Sequence, residues 1–204
     1  MSSHHFVKEN QEPALLILDT KEFGFEAIAP LLEWVPTVLV SQEEVWAVVS
    51  WGIKIDVILA DLEFQQANYR LLEEQYPVKF LGVSEGNYLE EGLQYLLATK
   101  HSALNIIGLA PWELPEDFIS ASNLDMVLWH GNIRYFPVKN GHFKKWFPAE
   151  KISIYCKIPV IIQVKSEHQD IQTTVSGRYD LAVPEGTTEF QAAEAFWLGE
   201  YFAG

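Results

Sequence analysis

Val45–Phe64, VWAVVSWGIKIDVILADLEF, decides how this chain is built. Its first residues pattern as the last turns of a helix, Gly52 supplies a turn, and Ile55–Ala60 is apolar everywhere except Asp56. A run without polar alternation predicts a parallel strand covered on both faces. Two carboxylates, Asp61 and Glu63, follow where that strand must end. Ligands of open α/β sheets sit outside the carboxyl ends of the strands, which makes this pair a candidate for holding a metal–phosphate group. The competing reading is structural: Asp61 caps the helix that carries Leu71, Leu72 and Tyr76.

The same rhythm extends to either side. Ala14–Asp19, Thr37–Val40, Val78–Val83 and Ala103–Leu109 are further predicted strands. Helices are predicted between them: one bearing Ile28, Leu31, Leu32 and Trp34, one after a capping-box signature at Ser41 and Glu44, one over Gln65–Gln75, and one over Asn87–Thr99. Strands alternating with helices imply right-handed crossovers and a parallel sheet. After about Trp112 the character changes. Leu124–Trp129 reads as the last strand of the first domain, and short runs follow at Ile133–Val138, Lys151–Lys157, Val160–Lys165 and Thr173–Val175. Asn140-Gly141 is the strongest hairpin signal. The expected fold is α/β: an N-terminal parallel-sheet domain of nucleotide-binding type over residues 1–131, then a small antiparallel β-sandwich over 132–204.

A formal charge of −14 argues against nucleic acid or an anionic membrane as partner, because phosphate backbones recruit Lys and Arg. The one cysteine, Cys156, rules out an intrachain disulfide and a multi-cysteine zinc cluster, and its place in ISIYCKI reads as a packed small residue. Met1–Pro13 is polar and no apolar run reaches transmembrane length, so a soluble, cytoplasmic protein is expected. His4 and His5 read as part of a solvated terminus. His101, His130, His142 and His168 lack the spacing of a metal site. Neither standard phosphate loop and no hydrolase elbow is present. Trp146, Phe147, Tyr155, Tyr179, Phe196, Trp197, Tyr201 and Phe202 crowd the last quarter. They suit a sandwich core, although such rings also stack on planar ligands. Phe190 with Phe196, Trp197, Tyr201 and Phe202 exceeds what the end of a small sandwich buries, which predicts a homodimer.

The order of these features resembles the thiamine pyrophosphokinase family, in which an α/β nucleotide-binding domain precedes a small β-sandwich. W-G-I-K-I-D-V-I-L-A-D-L-E-F is similar to the family segment G-I-K-P-D-hydrophobic-G-D-x-D-S. Gly52, Ile53, Lys54, Asp56, Val57 and Asp61 match, and Glu63 stands in for the second aspartate. Ile55 replaces the proline, Ala60 the glycine and Phe64 the serine. The strand end at Gly108 resembles the family's I-x-G, KISIYC the strand opening the second domain, and Val175, Gly177, Tyr179, Asp180 and Leu181 a turn within it. The resemblance implies Asp61 and Glu63 as the catalytic, metal-holding pair. It also implies magnesium (Mg2+) and ATP as cofactors, and transfer of pyrophosphate from ATP to thiamine.

The departures point the other way. The family's T-D pair falls on Gly86-Asn87-Tyr88, which has no aspartate, and its G-G-R-x-D-H loop is replaced by Ala110–Asp117, APWELPED. Glutamate in place of aspartate shifts the carboxylate by about 1 Å, and magnesium tolerates distorted octahedra badly. Arg70, Arg134 and Arg178 are left to replace the missing arginine. Turnover is therefore expected to be absent or very weak. The alternative function is that of a catalytically degenerate relative binding a thiamine-like ligand, a nucleotide or a protein partner.

Overall fold

The computed structural model describes residues 12–121 and 123–202. The chain forms a mixed α/β structure that divides into two compact units. The first runs through Gly108 and takes in Asn123–Met126; the second takes the segment from Leu109 and the chain from Val127 onward.

The first unit is built on five parallel strands in the order β4-β3-β2-β1-β5. These are β1 (Ala14–Ile17), β2 (Val38–Ser41), β3 (Val57–Ala60), β4 (Lys79–Gly82) and β5 (Ala103–Ile107). Every residue of β1, β2 and β3 is buried. That is why these segments read as unbroken apolar runs: helices cover both faces of the sheet. The connections carry α1 (Phe25–Leu32), α2 (Val45–Ser50), α3 (Leu62–Ala67), α4 (Leu71–Glu74) and α5 (Tyr88–Ala98). On α5, Leu96 is fully buried, and a Cβ on Gly92 would come within 3.3 Å of Leu16, so β1 passes directly beneath that helix.

Two local expectations fail here. The helix predicted over Gln65–Gln75 is two short helices, because Asn68 leaves helical geometry (φ −122°) and its amide donates back to the Phe64 carbonyl at 2.9 Å. The capping box at Ser41 and Glu44 does not form. Ser41 is the last residue of β2, and its hydroxyl donates to the Leu18 carbonyl at 3.1 Å.

In the second unit the strands are antiparallel. β6 (Asp125–His130) begins in the first unit and continues here; β7 (Ile133–Val138), β8 (His142–Phe147), β9 (Glu150–Lys165), β10 (Asp170–Val183), β11 (Gly186–Ala192) and β12 (Phe196–Tyr201) follow. A 3-10 turn (Pro111–Glu113) and a short helix, α6 (Phe118–Ala121), precede them. β9 organises the unit. β10 pairs with it along one side from Asp170↔Lys165 to Val183↔Glu150, while β12 and β11 share the other side, opposite Ile152–Tyr155 and Ile162–Lys165 respectively.

The two runs predicted on either side of Pro159 are therefore one strand. Asn140-Gly141 does turn the chain, with Gly141 at φ 64°, yet it joins strands that do not pair with each other: β7 pairs with β12 and β8 with β11. The core gathers Phe147, Ile152, Ile154, Ile162, Phe190 and Leu198. Phe190, Phe196 and Trp197, assigned in the sequence to a subunit interface, are buried within this unit at 0%, 1% and 4% exposure.

Candidate functional site

Parallel strands deliver their carboxyl ends to one side of the sheet, and in the first unit those ends are acidic. β1 runs on into Leu18-Asp19-Thr20, β2 into Gln42-Glu43-Glu44 and β3 into Asp61. The register sets them side by side, with Ile17 opposite Val40 and Ser41 opposite Leu59. Gly108, just past β5, is held at φ 79°, and a Cβ there would stand 2.1 Å from the Asp19 carbonyl oxygen. Only glycine permits that approach.

Asp61 is engaged on both oxygens. Oδ1 accepts the Phe64 N–H at 2.7 Å as the N-cap of α3, and Oδ2 accepts the Gln42 side-chain amide at 3.1 Å. Gln42 also accepts the Asp61 N–H at 2.8 Å, so the two residues form a closed pair. The Phe64 N–H, and after it Gln42, hold the Asp61 carboxyl below the usual carboxylate range. Glu63 is exposed in the first turn of α3, where the helix dipole favours an acid.

Around this pair the strand-end groups satisfy one another. Thr20 donates to Glu44, and Asp19 takes both the backbone N–H and the ammonium of Lys21, at 2.8 and 2.7 Å. The Tyr88 hydroxyl donates to Glu43 at 2.7 Å. Burial, then Glu43, with Asp61 adding to it, raises the Tyr88 hydroxyl well above an ordinary phenol. Tyr88 thus occupies the stretch where the resembled family carries an aspartate, and it supplies a neutral donor. Gln42, Glu43 and Tyr88 are the strand-end residues that sequence reasoning missed. The rule that selected Asp61 also selects the residues after β2, but Glu44 was assigned to a capping box instead.

Among the described residues, no three His, Cys, Asp or Glu side chains converge to hold a metal ion. The described cations of the first unit also lie elsewhere. Lys54, Lys79 and Lys100 precede β3, begin β4 and precede β5, at the opposite ends of the strands, and Arg70 follows α3. Of the first unit's described cations Lys21 alone is at the carboxyl ends, paired with Asp19.

The residues matched to the family segment divide in the same way. Gly52, Ile53, Lys54 and Asp56 line a cavity of about 400 Å³ at the amino ends of β2 and β3, and Asp56 there accepts the Val38 N–H at 2.9 Å. Asp61 is one strand length away.

The remaining candidates are structural. His101, buried between helix and sheet, contacts Thr99 at 2.9 Å and Thr37 at 3.1 Å, and burial lowers its pKa. His142 pairs with Glu189 at 2.9 Å. Cys156 is buried, and burial pushes its thiol up to about 11, which keeps it protonated and inert. His4 and His5 lie outside the described residues.

A parallel sheet with an antiparallel β unit is a fold this chain shares with solved thiamine pyrophosphokinases. The thiamine pyrophosphokinase of Bacillus subtilis superposes with a TM-score of 0.69 at 9% identity, over 94% of this chain and 100% of that one. That of Geobacillus thermodenitrificans gives 0.68 at 7%, over 94% and 98%. The yeast enzyme gives 0.61 at 8%, over 96% and 88%. No family model and no curated protein matches by sequence. The chain thus has the thiamine pyrophosphokinase fold over nearly its whole length, at an identity that speaks for the fold alone.

Proposed function

We propose that this chain is a divergent thiamine pyrophosphokinase-like protein that binds a small molecule and whose transfer of pyrophosphate from ATP to thiamine is absent or very weak. The observation that carries the reading is the state of Asp61, whose two oxygens serve a helix N-terminus and Gln42. Pyrophosphoryl transfer is largely positioning and charge neutralisation, and a site without converging metal ligands or a free cation among the described residues supplies neither. Loss of one charge-stabilising group lowers rate about a hundred- to a thousandfold, and this site lacks more than one.

The deciding experiment measures AMP release from ATP with thiamine and magnesium, comparing the parent with Asp61→Asn. The expected result is a rate at background for both. Robust release that Asp61→Asn abolishes would overturn the reading. Binding is measured separately, by thermal shift with thiamine, thiamine diphosphate and ATP with magnesium: a ligand of the native state raises stability by about 2.7 kcal/mol at a hundredfold excess over its Kd. The reading includes a homodimer, supported by Trp146 and Ile161 of the second unit, which are 55% and 57% exposed. A monomer mass by light scattering at micromolar concentration rejects that part alone. No helix among the described residues is long and apolar enough to cross a membrane, in keeping with the cytoplasmic location proposed.

A further inference from the structure

The cavity of about 400 Å³ at the amino ends of β2 and β3 shares no residue with the strand-end site. Helix periodicity builds one wall. Phe25 and Leu32, seven residues apart, share a face of α1 with Ile28. Ile28 is sealed in the core, while Phe25, 39% exposed, and Leu32 are left at the cavity. Trp51 and Ile53, on either side of Gly52 after α2, line it as well. A mostly apolar hollow of this size with a few polar groups is the usual form of a small-molecule site.

Val35 joins this lining at a cost. It follows α1 at φ 52°, its N–H donates to the Leu32 carbonyl at 3.0 Å, and it is 87% exposed. The left-handed residue at the end of a helix is ordinarily glycine, and a β-branched side chain is strained there. Glycine would close the helix without strain and would take an isopropyl group from the rim. Strain held in an exposed turn beside a cavity points to a role in binding, since burial of Val35 repays none of it.

Two opposite charges complete the lining. Lys54 has no hydrogen-bond or ion-pair partner among the described residues. Asp56 accepts the Val38 N–H on Oδ2 at 2.9 Å, and its Oδ1 has no partner among the described residues. The two side chains are not paired with each other, so each keeps bonding capacity for a ligand. A simple anion would gain from Lys54 and lose to Asp56, in a chain whose formal charge is −14. A simple cation would gain from Asp56 and lose to Lys54. A molecule carrying both charges satisfies both.

We infer that this cavity binds a free α-amino acid with a large apolar side chain. Such a molecule sets an ammonium and a carboxylate on one carbon at the end of an apolar body. The carboxylate answers Lys54, the ammonium answers Asp56, and the side chain answers Phe25, Leu32 and Val35. The inference does not rest on the strand-end reading, and either can fail alone.

The test uses the full chain and three probes: L-phenylalanine, 3-phenylpropanoate, which lacks the ammonium, and 2-phenylethylamine, which lacks the carboxylate. Each is titrated by calorimetry at neutral pH, with the Trp51 indole resonance followed by NMR. L-Phenylalanine is expected to bind at least fivefold more tightly than either analogue and to move the Trp51 resonance. Lys54→Met should bring L-phenylalanine and 2-phenylethylamine to equal affinity. Asp56→Asn, whose amide oxygen still accepts the Val38 N–H, should do the same for L-phenylalanine and 3-phenylpropanoate. Val35→Gly, which relieves the backbone, should nonetheless weaken L-phenylalanine about fivefold, and Asp61→Asn should change nothing. Equal binding of the three probes, no binding at millimolar concentration, or a preference for L-phenylalanine that survives both Lys54→Met and Asp56→Asn would each overturn the inference. Lys54 is exposed, so Lys54→Met decides the case if Asp56→Asn fails to fold.

Discussion

Asp61 in the first unit and Glu200 in the second are both carboxylates fixed by the fold, and they are fixed in opposite ways. Asp61 receives neutral donors, the Phe64 N–H and the Gln42 amide. Glu200, 5% exposed, takes Arg134 and Lys145. The contrast extends to the units as wholes. The first has six Lys and Arg against seventeen Asp and Glu, and the second has eight against eleven. Eleven of the fourteen net negative charges therefore fall in the unit where a polyphosphate would be expected to dock. Neutral donors hold a carboxylate in position without cancelling its field, whereas ion pairs cancel it. The first unit keeps a negative field at its strand ends, and the second pairs Asp180, Glu189 and Glu200, all on strands, with cations.

That contrast can be broken first at two glycines. Gly108→Ala places a Cβ 2.1 Å from the Asp19 carbonyl oxygen at a positive φ, against backbone that cannot step aside. The expected cost is about 3 kcal/mol or more by urea denaturation. Gly199→Ala in β12 meets the side chains of Tyr135 at 2.6 Å and Ile133 at 2.7 Å, and repacking should limit the cost to about 1–3 kcal/mol. A milder effect at Gly108 than at Gly199 would show that the strand-end loops of the first unit are softer than their contacts imply.

Next in size is the ion triad of the second unit. Glu200→Ala leaves two cations without their counter-ion. Because Arg134 and Lys145 are 45% and 41% exposed, the expected loss is about 2 kcal/mol, short of that for a fully buried pair. Chemical denaturation at neutral pH measures it, and a change below about 0.5 kcal/mol would mean that solvent replaces the pair.

Acid unfolding sharpens the comparison. Burial alone would raise the Glu200 carboxyl, but Lys145 and Arg134 outweigh it and hold the group below its ordinary value. Burial also opposes ionisation of Asp180, while Lys151, Arg178 and Ser153 bring its pKa from 3.8 down to about 2. A carboxyl depressed in the folded state stabilises above its unfolded value and loses that contribution as pH falls through the folded one. For Asp180 the loss falls between about 3.8 and about 2. Stability measured over that window should flatten in Asp180→Asn. In about 1 M salt the part due to Glu200 and Asp180 should shrink, and the part due to Asp61, which rests on neutral donors, should persist.

The smallest effect separates the two readings of Asp61. Asparagine is as good an N-cap as aspartate and alanine is not, so Asp61→Asn, which keeps the cap and loses only the acceptor for the Gln42 amide, should lower the melting temperature less than Asp61→Ala does. Equal melting temperatures for the two variants would remove the capping role.

The sequence alone determined the parallel half of this protein. Ala14–Ile17, Val38–Ser41, Val57–Ala60, Lys79–Gly82 and Ala103–Ile107 each lie within or one residue beyond the runs that predicted them; for β1, β2 and β3 the reason is that a strand buried on both faces has little freedom in composition, while β4 is a partly exposed edge strand. Asp61 was also legible, since the first polar residue after such a run marks the carboxyl end of its strand.

Tertiary structure decided the rest, wherever the partner is remote in sequence. That Gln42 would close on Asp61, 19 residues away, and Tyr88 on Glu43, 45 residues away, comes from the order of strands rather than from any local pattern. That Asn140-Gly141 joins strands that never pair, and that Glu200 meets Arg134 across 66 residues, depends on β12 inserting between β7 and β9. Local propensity sets each strand and turn one at a time; which strands become neighbours is settled only when their faces compete for burial in one core.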